Sequence, residues 1–157
     1  MWNSYLYYAP MNAPIVKYSV NQIPPANCAT SPICQSPTNT TKIVFSYGTN
    51  PSISSNMTTT GTAVLWANYQ NGWPSAATPA PAVMHAFDAE HVTLPHTLPE
   101  LWNSTMCPTR DAQGNATKFV VPTVANGYVY ISSMNPSDAT NTQGQLDVFG
   151  PTSATCQ

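Results

Sequence analysis

Ten short runs of β-branched and aromatic residues mark this chain, separated by loops rich in Pro, Asn, Gly and Thr. Bulky side chains of this kind fit a pleated, half-buried surface, so the runs predict strands. The predicted strands cover residues 5–9, 15–20, 43–47, 52–54, 63–69, 83–88, 101–103, 119–125, 128–132 and 146–149. Sixteen prolines interrupt the sequence, and helical periodicity is nearly absent. Asn126-Gly127 predicts a tight hairpin, because both residues tolerate positive φ. The fold class that follows is all-β.

The runs repeat. Pro51-Ser52-Ile53-Ser54 followed by Ala63-Val64-Leu65-Trp66 parallels Pro122-Thr123-Val124-Ala125 followed by Tyr128-Val129-Tyr130-Ile131. A third strand follows each, with Phe87 and Phe149 in matching places. The opening Tyr5-Leu6-Tyr7-Tyr8 and Ile15-Val16-Lys17-Tyr18 fit the second and third strands of the same unit. Four antiparallel strands recurring at about 60 to 70 residues predict propeller blades with long loops. The expected architecture is a partial β-propeller of about two and a half four-stranded blades. Residues 1–43 form a partial blade with a Cys-containing loop, 44–106 a complete blade and 107–157 a closing blade. Trp66, Trp102, Tyr130, Phe87 and Phe149 supply the apolar faces. Each would contribute roughly 1.5–3 kcal/mol when buried between blades.

At these residues the chain resembles the quinoprotein-like (PQQ-repeat) β-propellers. Pro122 to Ile131, with Asn126 and Gly127 at the turn, is similar to the opening strand pair of their blades. Ala86-Phe87-Asp88 and Leu101-Trp102 look like the tryptophan-docking element, with a longer spacer and without its usual glycine. The resemblance makes Ala86, Asp88, Trp102, Pro122, Asn126 and Gly127 structural blade residues. It implies a fold more than a function, since one superfold hosts many functions. Active members use a complete ring, an adjacent cysteine pair and acidic calcium ligands. Neither the cysteine pair nor a matching acidic cluster occurs here, so no cofactor is expected, with PQQ and calcium as the secondary reading. Too few blades are present to close a ring, which needs about four. The expected partner is therefore the rest of a propeller or another chain that completes it.

Composition narrows the function classes. Hydrophobic residues make up 42 % of the 157 positions and charged ones only 6 %, against roughly 25 % in typical soluble proteins. Such a surface suits an extracellular or cell-surface setting. The net charge is −2 and the four cations are scattered, which argues against nucleic-acid binding. No run reaches the roughly 18 apolar residues of a membrane-spanning helix. Met1 is not followed by a basic and then an apolar segment. That, with a strand at the very start, predicts a natural N-terminus further upstream. Cys28, Cys34, Cys107 and Cys156 form no CxxC pair. In an oxidising compartment they predict disulfides, with Cys28–Cys34 and Cys107–Cys156 favoured among three pairings and buried thiols as the alternative. Sequons at Asn39, Asn56, Asn103 and Asn115 are glycosylation candidates.

The chemistry-bearing residues are few. His85, His91 and His96 match no metal-ligand spacing, so no metal site is expected and solvated loop histidines are the simpler reading. Asp88 reads as a strand end or turn cap rather than a base. No G-x-S-x-G, Walker A or G-x-G-x-x-G motif occurs. Asp111 reads as a structural turn residue with Arg110 pairing nearby. Asp138, in a Pro-Ser-Asp loop, could help hold a hard cation such as calcium. Trp2, Tyr5, Tyr7, Tyr8, Tyr69 and Trp73 could form a sugar- or protein-contact surface, or be blade core where they alternate on strands. Taken together, the expected function is a non-enzymatic extracellular module for binding or structural scaffolding. The alternatives are a fragment of a quinoprotein oxidoreductase and a carbohydrate-binding propeller.

Overall fold

The computed structural model describes residues 1–20, 39–70, 80–93, 95–138, 140 and 142–151. Among these residues the fold is all-β but for one four-residue helical turn, and the strands form three small antiparallel sheets with no closed barrel. The first sheet contains β1 (Tyr5–Tyr8), β2 (Ala13–Ser19) and β3 (Asn39–Phe45). The second contains β4 (Ser52–Ser54), β5 (Val64–Gln70), β6 (Ala82–Asp88) and β7 (Glu100–Asn103). The helical turn α1 (Pro108–Asp111) follows. The third sheet contains β8 (Thr123–Ala125), β9 (Tyr128–Met134) and β10 (Gly144–Phe149). Within each sheet every strand pairs with its neighbour in the chain.

All ten predicted runs form strands, with two instructive differences. The 43–47 run starts earlier, at Asn39, and pairs with β2, giving the first sheet a third strand that crosses the expected boundary at 43. The strand stops at Phe45 because the chain turns there: the Gly48 amide donates to the Phe45 carbonyl at 3.0 Å, with Gly48 at φ +70°. The 119–125 run begins only at Thr123. Phe119 sits at φ +61° and is 84 % exposed, a conformation no strand residue adopts. Pro122, whose ring removes a ladder donor, is buried just before the strand.

Alternation assigns the faces. On β5 and β6, Leu65, Ala67 and Phe87 point to the first sheet, where they meet Tyr7, Ile15 and Phe45 in one buried cluster. Met84 points the other way and joins Val129 and Ile131 of the third sheet, with Trp66, Trp102 and Phe149 packed around them. The second sheet is thus covered on both faces. Two backbone segments tie the layers. His96 and Leu98 bond to Thr40 of β3. Residues Gly114 to Ala116 bond both to the start of β6 and to Met134 of β9. Side chains add to the first junction: the Tyr7 hydroxyl and the Lys17 ammonium both donate to the Ala89 carbonyl, at 2.8 and 2.7 Å. Burial lowers the Lys17 pKa, and the Tyr5 ring 4.2 Å below the ammonium adds a cation–π contact.

The outer faces of the stack differ from its interior. Leu6, Tyr8 and Val44 on the first sheet are exposed, as are Tyr128, Leu146 and Val148 on the third.

Candidate functional site

A cleft of about 810 Å³ opens between the second and third sheets. Its apolar wall is Trp66 from β5, Trp102 from β7 and Phe149 from β10. Trp102 meets Phe149 edge to face, with ring centroids 5.3 Å apart. The indole of Trp66 donates to the Ser54 hydroxyl at 2.9 Å, which fixes its ring. The polar wall comes from α1 and β10. Arg110 grips Asp111 through two bonds, Nε to Oδ1 at 2.6 Å and a terminal guanidinium nitrogen to Oδ2 at 2.7 Å. These bonds hold the Asp111 carboxyl below the usual range despite its burial, and a bond from Trp102 assists. Asp147 on β10 accepts the Gly114 amide at 3.2 Å and the Gln145 side chain at 2.6 Å.

Among the described residues the cleft offers rings and charges held by hydrogen bonds. Both carboxylates already accept donors, and the Arg110 bonds lower the pKa of Asp111, opposite to what a general acid requires. The arrangement suits binding: aromatic surface supplies area at low entropic cost, and the ion pair orients what enters.

The blade residues read from sequence lie around this cleft and along the second sheet. Ala86 stands opposite Trp102 in the β6–β7 ladder and opposite Trp66 in the β5–β6 ladder. Asn126 and Gly127 form the β8–β9 turn, at φ +52° and +79°. Asp88 ends β6 and caps the following turn. It accepts the amides of Glu90 and His91, both at 2.9 Å, and the His91 ring at 2.7 Å. Burial works against ionisation of Asp88, but these donors outweigh it and lower its pKa. The same contact raises that of exposed His91. Asp138 is likewise a loop organiser. Its carboxylate accepts amides of Thr140, Thr142 and Gln143 and the hydroxyls of both threonines, and those bonds push its pKa well down. A carboxylate so occupied has little left for a cation. Among the described residues no group of three or more His, Cys, Asp or Glu side chains could hold a metal ion.

His85 is a closely confined titratable group. It is 7 % exposed and stacks on Phe87, with Phe45 and Tyr69 at its edges. Its Nδ1 lies 2.5 Å from a Glu100 oxygen of β7. Desolvation lowers its pKa although Glu100 pulls the other way. The neutral ring then donates Nδ1–H to Glu100. Sequence reading places His85 mid-strand but misses Glu100, because the two are joined only by strand pairing. It also misses Asp147 in the cleft, which no motif marks.

The glycosylation candidates separate by environment. Asn56 is exposed in a turn, whereas Asn103 binds Glu100 and Thr105. Asn115 is 5 % exposed and its backbone bridges two sheets, so a glycosylating enzyme cannot reach it in this fold. The side chain of Asn39 lies outside the described residues. So do Cys28, Cys34, Cys156 and Trp73, and the two disulfide pairings stay open. Cys107, buried before α1, is not a free thiol. Of the aromatics considered as a contact surface, Tyr7 is core, and Trp2, Tyr5 and Tyr69 pack against it. Tyr8 is exposed.

No helix of the described residues is long and apolar enough to cross a membrane. No protein-family model, curated protein or solved structure matches the chain.

Proposed function

We propose that this chain is a non-enzymatic β-propeller segment, secreted or held at the cell surface, that binds a partner or scaffolds an assembly. Its three stacked sheets are blades of one repeat. Further blades, from the rest of a longer chain or from another copy, cover the two outer faces. The observation that carries this reading is a shared pairing register. Ile53 faces Leu65 and Leu65 faces Phe87 in the second sheet, just as Val124 faces Val129 and Val129 faces Phe149 in the third. Leu6 facing Tyr18 in the first sheet fits the same scheme. In the second and third sheets, the face bearing these residues packs on the preceding sheet. In the first sheet that face is open and displays Leu6. A large apolar surface left in water is the mark of an interaction site.

Light scattering after size-exclusion chromatography tests the reading. Wild-type chain should run as an assembly heavier than 16.9 kDa. A single charge on an outer face, Leu6→Lys or Val148→Lys, should reduce it to monomer without changing the far-UV spectrum. A wild-type monomer of 16.9 kDa that unfolds in one sharp transition and binds no hydrophobic dye would refute it. Addition of PQQ with calcium should leave the melting temperature unmoved. A rise would favour the oxidoreductase alternative instead.

A further inference from the structure

The second sheet has four strands and the third has three. The shared register makes β10 the counterpart of β6, because Phe149 corresponds to Phe87 and Val148 to Ala86. The far edge of β6 is occupied by β7. The far edge of β10 carries no paired strand among the described residues, and four of its residues, Leu146 to Phe149, line the cleft. An open edge exposes a row of backbone donors and acceptors that template a further strand. The other edges are covered or shorter. β3 is taken by His96 and Leu98, β1 and β7 have four residues each, and β4 and β8 have only three and follow prolines. β10 is six residues long, with no lysine or proline within it, and its Leu146 and Val148 are 62 % and 50 % exposed.

We infer that the cleft beside β10 is a β-augmentation site, which takes an extended strand of another polypeptide carrying a cationic side chain toward Asp147. The inference rests on the repeat reading above and names the chemistry of one partner. The cation follows from a substitution within the repeat. In the second sheet the fourth strand places Glu100 on His85. Asp147, opposite Ile131, corresponds to His85, opposite Ala67. Where the second sheet has an imidazole and its strand a carboxylate, the third has a carboxylate. Its strand is therefore complementary with Lys or Arg. The neighbouring residues of that strand would lie along Trp102 and Phe149, where apolar side chains fit. Main-chain bonds give such complexes their affinity, and the alternate side-chain pockets give selectivity.

A synthetic peptide patterned on β7 tests this, with Lys in place of the residue equivalent to Glu100, which stands opposite Phe87 and reaches His85 with its side chain: acetyl-Pro-Lys-Leu-Trp-Asn-Ser-Thr-amide. Hydrogen exchange read by NMR on wild type and on Leu6→Lys should show β10 amides slowing about tenfold under saturating peptide. Two further peptides carry N-methyl groups on alternate residues. One set should lose binding and the other keep it, because only alternate N–H groups of an added strand face its neighbour. The peptide with Glu retained should bind at least about tenfold more weakly. The proposal falls if β10 stays unprotected, if both methylated peptides bind alike, or if the Glu peptide binds as well. It also falls if a maltooligosaccharide or chitooligosaccharide, but not the peptide, perturbs the cleft. The two readings fail separately. A wild-type monomer that accepts the peptide sinks the scaffold, and a Leu6→Lys monomer that ignores it sinks the strand site.

Discussion

At the scale of single residues, several of the few charges in this protein organise backbone. Asp88 and Asp138 each gather loop amides, and Lys17 is spent on the Ala89 carbonyl. The Asp88–His91 pair makes this measurable. Asp88 is ionised more readily in the fold than its ordinary pKa of 3.8, so its stabilisation is present above that value and fades as pH falls through the lower folded one. His91 is raised above 6.5, so its share is complete below 6.5 and is lost as pH rises through the folded pKa. The pair supports the turn best between these limits. An NMR titration of the His91 ring should give a pKa above 6.5 in wild type and a return toward 6.5 in Asp88→Asn. An unchanged midpoint in the variant would show that the contact does not persist in solution.

At the scale of elements, the segment from Gln113 to Ala116 acts as a clasp between sheets, and Gly114 is its tightest point. A Cβ at Gly114 would collide with the Ser133 hydroxyl, the Gln145 side chain and the Met134 carbonyl. The last of these is backbone and cannot swing away. Gly114→Ala should therefore cost roughly 1–3 kcal/mol, the usual cost of overpacking, read as a fall in the urea midpoint at constant slope. Gly127→Ala would meet no atoms but must hold φ +79°. Its loss should come from backbone strain alone, about 1 kcal/mol.

Strand existence is legible along the chain because short apolar runs between prolines and glycines leave few other solutions. The clasps are not. Backbone pairing of residues 96–98 and 114–116 uses N–H and C=O groups that nearly every residue has, so no side-chain pattern announces it. Asn115 shows the same blindness: its sequon reads as exposed turn, yet its main chain is wedged between Pro81 and Met134. The Phe119 run misleads for the opposite reason, since Phe119 itself takes a left-handed conformation and the strand starts only after Pro122. The aromatic wall of the cleft is foreshadowed by Trp66, Trp102 and Phe149. Its charged wall comes together only through the fold, which brings α1 back against β10.

At the scale of the whole molecule, stability is divided between two separate layers of core. Leu65 fills the layer between the first and second sheets, and Ile131 the layer between the second and third. Each is essentially inaccessible to water. Truncation to alanine should cost about 2–5 kcal/mol at either site. Because the two clusters have no residue in common, the double variant should lose the sum to within about 0.5 kcal/mol. Chemical denaturation of the four proteins in the cycle checks this. A double variant far from additive would mean that the second sheet transmits packing changes from one layer to the other.

Since each ladder joins only consecutive strands, the backbone passes from the first sheet to the second through a single short connection, residues 46–51. A protease cut there would sever one peptide bond and no rung of any ladder. The two pieces would still be held by the interlocked side chains around Phe45 and Leu65 and by the Thr40 clasp. The junction between these layers is in this sense already a protein–protein interface within one polypeptide, and the chain could be split there into two genes and reassembled by association.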